Sequence, residues 1–124
     1  MTRRIQLAIA IGGTTGTLAR AGIDKALPHE PGHWPWATFA VNLVGSLVLG
    51  WVLGRPTAPN RYWRPLLGTG FCGGLTTFSA FQVETFELAR NGHVALAVGY
   101  PLASLAAGMV VAFAGVRIAR WPAS

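Results

Sequence analysis

Hydrophobic and polar positions come in blocks along this chain and do not alternate residue by residue. Four long apolar stretches, about 5–23, 34–54, 62–88 and 94–116, are separated by three short segments rich in proline, glycine and charge. Those segments are Pro28-His29-Glu30-Pro31-Gly32, Arg55-Pro56-Thr57-Ala58-Pro59-Asn60-Arg61 and Arg90-Asn91-Gly92-His93. Proline and glycine there punctuate helices and start turns. No stretch has the period-two alternation of a half-buried strand. Each apolar stretch can cross a hydrocarbon core of about 30 Å, which takes roughly 20 helical residues. Trp34, Trp36, Trp51, Tyr62, Trp63 and Trp121 fall near the stretch ends, where an interfacial aromatic belt places its rings. The pattern predicts an all-α integral membrane protein, one four-helix transmembrane domain over residues 1–124, with little protein outside the bilayer.

Composition agrees. Of 124 residues, 52% are hydrophobic and 11% charged, with 4 acidic against 10 basic side chains. A soluble domain of this size coats itself with more charge. The basic residues lie between the apolar stretches or at their ends, as membrane-flanking anchors do, and form no nucleic-acid face. The single cysteine, Cys72, excludes an internal disulfide framework and a cysteine-rich zinc site. Thr2-Arg3-Arg4 followed by apolar residues has the look of a secretory or twin-arginine signal. Against that reading, no convincing small-residue cleavage site precedes Arg20, and three more apolar stretches follow.

Small residues recur at four-residue spacing: Gly12 and Gly16, Gly50 and Gly54, Gly70 and Gly74, and Ser104, Gly108 and Ala112. In lipid, helices gain little from mutual hydrophobicity, so close backbone approach is what favours their packing. Four tightly packed helices leave little room for an internal cavity. Any pathway is then expected along polar stripes beside or between subunits of an oligomer. The third stretch contains Gly68-Thr69-Gly70-Phe71-Cys72-Gly73-Gly74-Leu75-Thr76-Thr77-Phe78-Ser79-Ala80-Phe81. Two adjacent glycines followed by two threonines permit a break near the middle of this helix. A break frees backbone groups, which is tolerated at membrane depth only where protein or a bound ion satisfies them. A continuous Gly-rich helix, with both threonines bonded to the preceding turn, is the alternative. Phe78 and Phe81 share a helix face by their three-residue spacing, and their positive ring edges can stabilise a small anion; packing in the lipid or the core is the commoner role of such rings. Asn42 lies mid-stretch and needs either an interhelical partner or a wet path.

The run Gly73-Gly74-Leu75-Thr76-Thr77-Phe78-Ser79, with Phe81 and Glu84 beyond it, resembles the Fluc (CrcB) fluoride channels. Gly12-Gly13-Thr14-Thr15-Gly16 with Arg20, and Val41-Asn42-Leu43-Val44-Gly45-Ser46, are similar to that family's other two signatures. The resemblance implies an antiparallel, dual-topology dimer that passes fluoride passively out of the cytoplasm and so protects against fluoride toxicity. It implies a pathway lined by Asn42, Phe78, Phe81, Ser79, Tyr100, Ser104 and Arg20. It further implies a structural sodium ion at the dimer centre, held by the backbone carbonyls of Gly73 and Thr76. The implied location is the inner (plasma) membrane, crossed several times. Ala80 departs from the family run, which commonly has threonine there, so one hydroxyl of the implied ion path is missing.

An enzyme is not expected. His29, His33 and His93 have neither triad nor metal-ligand spacing, and no lysine-bearing phosphate loop is present. The rival function is a proton-coupled antiporter of the small multidrug-resistance type, which requires a membrane-embedded carboxylate such as Glu84 or Glu87. Orientation carries its own signal. With four crossings, Arg3, Arg4, Arg55, Arg61, Arg64, Arg117 and Arg120 share one side, against Arg20, Lys25 and Arg90 on the other. That asymmetry favours cytoplasmic termini and permits an oppositely oriented paralogue as partner, in place of the homodimer.

Overall fold

The computed structural model describes residues 2–121. Over that range the chain is helical, without a strand. Helix α1 (Arg3–Ala26) starts where the Thr2 hydroxyl accepts the Ile5 amide at 3.3 Å and ends at Leu27, ahead of Pro28. Helix α2 (Trp36–Gly54) lies between Pro35 and Arg55. Arg55 is extended, the conformation that a following proline enforces. Helix α3 covers 63–75, wound as a π-helix over Pro65–Cys72 and closing with an α-turn, Gly73–Leu75. Helix α4 (Phe78–Arg90) follows after two extended residues, and α5 (Val94–Ala119) completes the fold. Gly92 joins α4 to α5 at a φ of +83°, a left-handed conformation that glycine adopts without strain. Pro101 sits inside α5, where it has no amide hydrogen to offer the Ala97 carbonyl.

Helix α1 packs on α3 and α2 on α5, with α4 lying along α5. Glycines set both main contacts. Gly12 and Gly16 meet the Leu66 and Phe71 carbonyls so closely that a Cβ would overlap them, and Gly74 meets the Gly13 carbonyl in the same way. Across the other contact, Gly50 meets the Ala112 carbonyl, Gly115 the Leu47 carbonyl, and Gly54 lies against Val116. Most of the four-residue repeats therefore serve close backbone packing, the mode that works in lipid.

The molecule keeps much of its apolar surface outside. Helix α5 buries only Tyr100 and Gly115, while Leu102, Leu105, Val110 and Phe113 face outward. Helices α2 and α5, of 19 and 26 residues, are each long and apolar enough to cross a membrane. An exposed apolar face of this extent marks a surface meant for lipid or another protein. Helix α1 is more polar: Thr14 and Thr15 turn their hydroxyls back onto the Ala10 and Ile11 carbonyls at 2.8 and 2.9 Å. The third apolar stretch is divided between α3 and α4, so neither piece is long enough to cross on its own.

Candidate functional site

The break lies at Thr76 and Thr77, with φ/ψ of −79°/155° and −144°/117°. Within the glycine–threonine run singled out in the sequence, Gly73 stays helical at −62°/−38° and the interruption falls on the two threonines. Competition for backbone groups explains why it falls there. Asn42 of α2 accepts the Thr77 amide on Oδ1 at 3.0 Å and donates from Nδ2 to the Thr77 carbonyl at 3.4 Å. A carboxamide carries the same donor and acceptor as a peptide group, so Asn42 stands in for a neighbouring strand. Thr77 Oγ1 accepts the Ala80 amide at 3.2 Å and thereby caps α4. Thr76 Oγ1 donates to the Cys72 carbonyl at 2.8 Å, and from α1 Arg20 Nε donates to the Gly74 carbonyl at 3.2 Å.

The carbonyls of Gly73 and Thr76 are among those that lose a helical partner in this arrangement. In a continuous helix the Thr77 amide would serve Gly73 and the Ala80 amide would serve Thr76. Both amides are diverted, to Asn42 and to Thr77 Oγ1 respectively. Gly73 and Thr76 are the two residues whose carbonyls the sequence resemblance links to sodium. Oxygen donors freed from helical pairing suit a hard, dehydrated alkali cation, so the residues present fit such an ion. Among the described residues no group of three or more His, Cys, Asp or Glu gathers that could hold a metal.

The break opens into a groove of about 550 Å³, lined by Asn42, Ser46, Thr69, Gly73, Thr76 and Phe78 among others. It faces outward. A Cβ added at Gly73 would meet nothing within 4 Å, and Phe78 is 69% exposed. Phe78 and Phe81 stack with ring centroids 6.0 Å apart and planes 24° from parallel, so their edges lie side by side along one face of α4. Phe81 continues to Tyr100 of α5 at 5.1 Å. Tyr100 is completely buried, and its hydroxyl, like that of Ser104, has no hydrogen-bond partner among the described residues. The Ser79 hydroxyl lies 3.4 Å from Thr77 Oγ1.

The expected site residues thus divide into two groups. Asn42, Gly73, Thr76 and Phe78 share the outward groove, whereas Phe81 and Tyr100 meet between α4 and α5, with Ser104 one turn beyond Tyr100 on α5. Phe78 joins the two through its stack with Phe81, and Ser79 stands at the cap of α4. Arg20 lies behind the break, on the α1 side. Thr77, part of the glycine–threonine run, is the central bonded residue. Other residues of the same region carried no distinct signal in the sequence: Thr38 is 3% exposed despite its hydroxyl. His29 Nδ1 stands 3.8 Å from Glu84 Oε2, tying the first loop to α4. A polar residue within an apolar stretch was the available clue for Thr38; the His29–Glu84 approach joins positions 55 apart and leaves no local pattern.

The sequence of residues 7–116 matches the model of a family described as CrcB-like protein, Camphor Resistance (CrcB). The chain belongs to the CrcB family. Similar proteins include one from Mycolicibacterium paratuberculosis named Fluoride-specific ion channel FluC 1, 46% identical over 91% of this chain and 88% of its own. One from Leptospira interrogans named Fluoride-specific ion channel FluC is 41% identical over 89% of this chain and 90% of its own. A third, from Nocardia farcinica, is named Fluoride-specific ion channel FluC 2 and is 39% identical over 94% of this chain and 86% of its own. These similarities extend over nearly the whole CrcB domain, including both halves of the broken third helix. Membership in this family, with the exposed apolar faces of α2 and α5, makes the chain a membrane protein and not an enzyme.

Proposed function

We propose that this CrcB protein is a fluoride-selective channel giving passive fluoride efflux across the plasma membrane, which it crosses as a multi-pass, four-span bundle. The observation that carries the reading is the broken third helix locked by Asn42 beside the Phe78–Phe81 stack, in a chain whose relatives bear fluoride-channel names. A small anion needs partial positive charge without a fixed cation that would hold it too long. The paired ring edges supply that, and the unpartnered Tyr100 and Ser104 hydroxyls supply donors farther along, on α5. Asn42 retains a second Nδ2 hydrogen beyond the one directed at Thr77, which is free to face the anion.

The outward groove supports an antiparallel dimer, because a pathway bordered on one side only is incomplete. A second copy, or an oppositely oriented paralogue, closes it. Sodium, held by the carbonyls of Gly73 and Thr76 from each subunit, supplies positive charge and satisfies carbonyls that the break releases. Glu84 keeps the antiporter alternative in view, being a half-buried carboxylate in α4. The family relationship and the carbonyl accounting favour the channel.

The test is fluoride efflux from liposomes holding purified protein, with potassium flux short-circuited by valinomycin and fluoride read by electrode. Rapid fluoride release without chloride release is expected, and prolonged sodium removal should reduce it. Release no faster than from protein-free liposomes would overturn the reading. Fluoride release that requires an opposing proton gradient would favour the antiporter.

A further inference from the structure

The end of the molecule away from the His29–Glu84 approach has a charge imbalance that the channel reading does not use. Asp24, Glu30, Glu84 and Glu87 are the four acids of the chain, and all lie in the second half of α1, the first loop or α4. The N-terminus of α1, the α2–α3 loop and the C-terminus of α5 carry Arg3, Arg4, Arg55, Arg61, Arg64, Arg117 and Arg120 with no acid among them. The last two of these meet. Arg120 Nε donates to the Gly54 carbonyl at 3.2 Å, and Arg61 Nη2 donates to the Tyr62 hydroxyl at 2.9 Å.

Arg55 stands at the centre of this end. Its guanidinium lies over Trp51 at 5.4 Å and over Trp63 at 5.7 Å, and the two indoles are 5.3 Å apart, edge to face. Two ring faces fix the cation in place. The Nε–H of Arg55 and the Nε1–H of Trp63 are both buried, and neither has an acceptor among the described residues. Buried donors are paired in the great majority of cases, so two orphans beside one fixed cation call for an acceptor from outside the chain. Interfacial anchoring of an arginine explains a head reaching for water. It does not explain a buried Nε–H. Trp34, at the opposite end, also has a buried Nε1–H without acceptor, but its hollow is shared with Glu30, which repels anions.

We propose that Arg55, Trp51 and Trp63 form a seat for a phosphate group, presented by an anionic phospholipid headgroup or by free phosphate. Phosphate oxygens accept from Arg55 through its planar fork and from the indole Nε1–H, and the surrounding arginines attract the negative charge. The α2–α3 loop is placed for this by Arg55 itself, which ends α2 in an extended conformation. The Gly54 carbonyl, a negative pole at the end of α2, is neutralised by Arg120 and does not oppose the anion.

The experiment uses the full-length protein in detergent micelles and reads quenching of tryptophan fluorescence by brominated phosphatidylglycerol, with brominated phosphatidylcholine as the neutral comparison. Inorganic phosphate is titrated as a competitor. Arg55→Gln is expected to weaken the phosphatidylglycerol-specific quenching at least tenfold. Arg55→Lys keeps the charge but loses the fork and is expected to fall between. Trp63→Phe keeps an aromatic ring, although a smaller one, and removes Nε1–H, and should weaken binding severalfold even if Arg55→Gln folds poorly. Competition by millimolar phosphate would assign the seat to the phosphate group itself, and quenching untouched by phosphate would assign it to the lipid headgroup. Equal quenching by the two lipids without effect of phosphate, or unchanged phosphatidylglycerol binding in both Arg55→Gln and Trp63→Phe, would overturn the proposal.

Discussion

Replacing Asn42 by alanine removes both bonds that hold the extended Thr77 in place. The two are unequal: the amide bond to Oδ1 is 3.0 Å, while the Nδ2 bond to the carbonyl is 3.4 Å and contributes less. The dominant loss is therefore the Thr77 amide, left without a partner. An orphaned donor of this kind costs about 1–3 kcal/mol when buried. That corresponds to about 5- to 150-fold in the population of the ordered break, since about 1.4 kcal/mol is a factor of ten. The value should lie at the low end if water reaches Thr77 through the groove, and at the high end once a partner subunit or lipid covers it. Asn42→Asp provides the contrast. It retains the acceptor for the Thr77 amide but sets a carboxylate oxygen against the Thr77 carbonyl. Amide hydrogen exchange, resolved on peptides spanning residues 73–80, measures the order of the break, and liposome efflux measures conduction. For Asn42→Ala, exchange at Thr77 should accelerate by the stated factor and fluoride flux should fall. For Asn42→Asp, protection of the Thr77 amide should survive while flux falls. Unchanged exchange at Thr77 in Asn42→Ala would refute the clamp, whatever the flux.

Three further outcomes are expected. Substituting isoleucine at both Phe78 and Phe81 keeps bulk but removes the paired ring edges; efflux should be abolished while size-exclusion chromatography shows unchanged assembly, and undiminished efflux would remove the rings from the pathway. Gly73→Val meets nothing within 4 Å in its own chain, so helical content should be retained. The variant should instead lose dimerisation, as read by cross-linking in liposomes, and a fully dimeric variant would show that Gly73 does not face the partner. Single cysteines at residues 2 and 120, in a Cys72→Ala background, should label from one side of intact cells if the arginine asymmetry fixes orientation, and equally from both sides if the chain inserts in dual topology.

What could be read from the sequence depended on the range of the interaction responsible. The ends of α2 follow from Pro35 and Pro56, and the α4–α5 turn from Gly92, because proline and glycine act on their own dihedrals. The glycine repeats forecast close packing, although nothing local says that α1 chooses α3 and α2 chooses α5. The break was visible as a possibility over the glycine–threonine run, without the residues within it that carry the interruption. Glycine content marks where a helix is weak, whereas the actual site is set by which backbone groups find better partners elsewhere. Those partners, Asn42 and Arg20, lie 35 and 54 positions away from the groups they bind. Asn42 itself was legible as a polar residue needing a partner, but not as a clamp. The π-winding of Pro65–Cys72 had no sequence cue beyond its glycines, and it accompanies the close approach of Gly12 and Gly16 to the same turns.

That long-range bonding at the break has a consequence for how the protein is made. The groups that bond the break, Asn42 at Thr77 and Arg20 at Gly74, both precede it in the chain. A ribosome releases them first, and α1 and α2 are in place before residues 73–77 emerge. The unpaired backbone of the break then meets its donors and acceptor on arrival, and spends little time exposed in a medium that penalises it. Moving α1 and α2 behind α5 by circular permutation would keep the contacts of the break and reverse this order. The permuted chain should reach the same fold with a lower yield of inserted protein, a deficit of synthesis and not of stability.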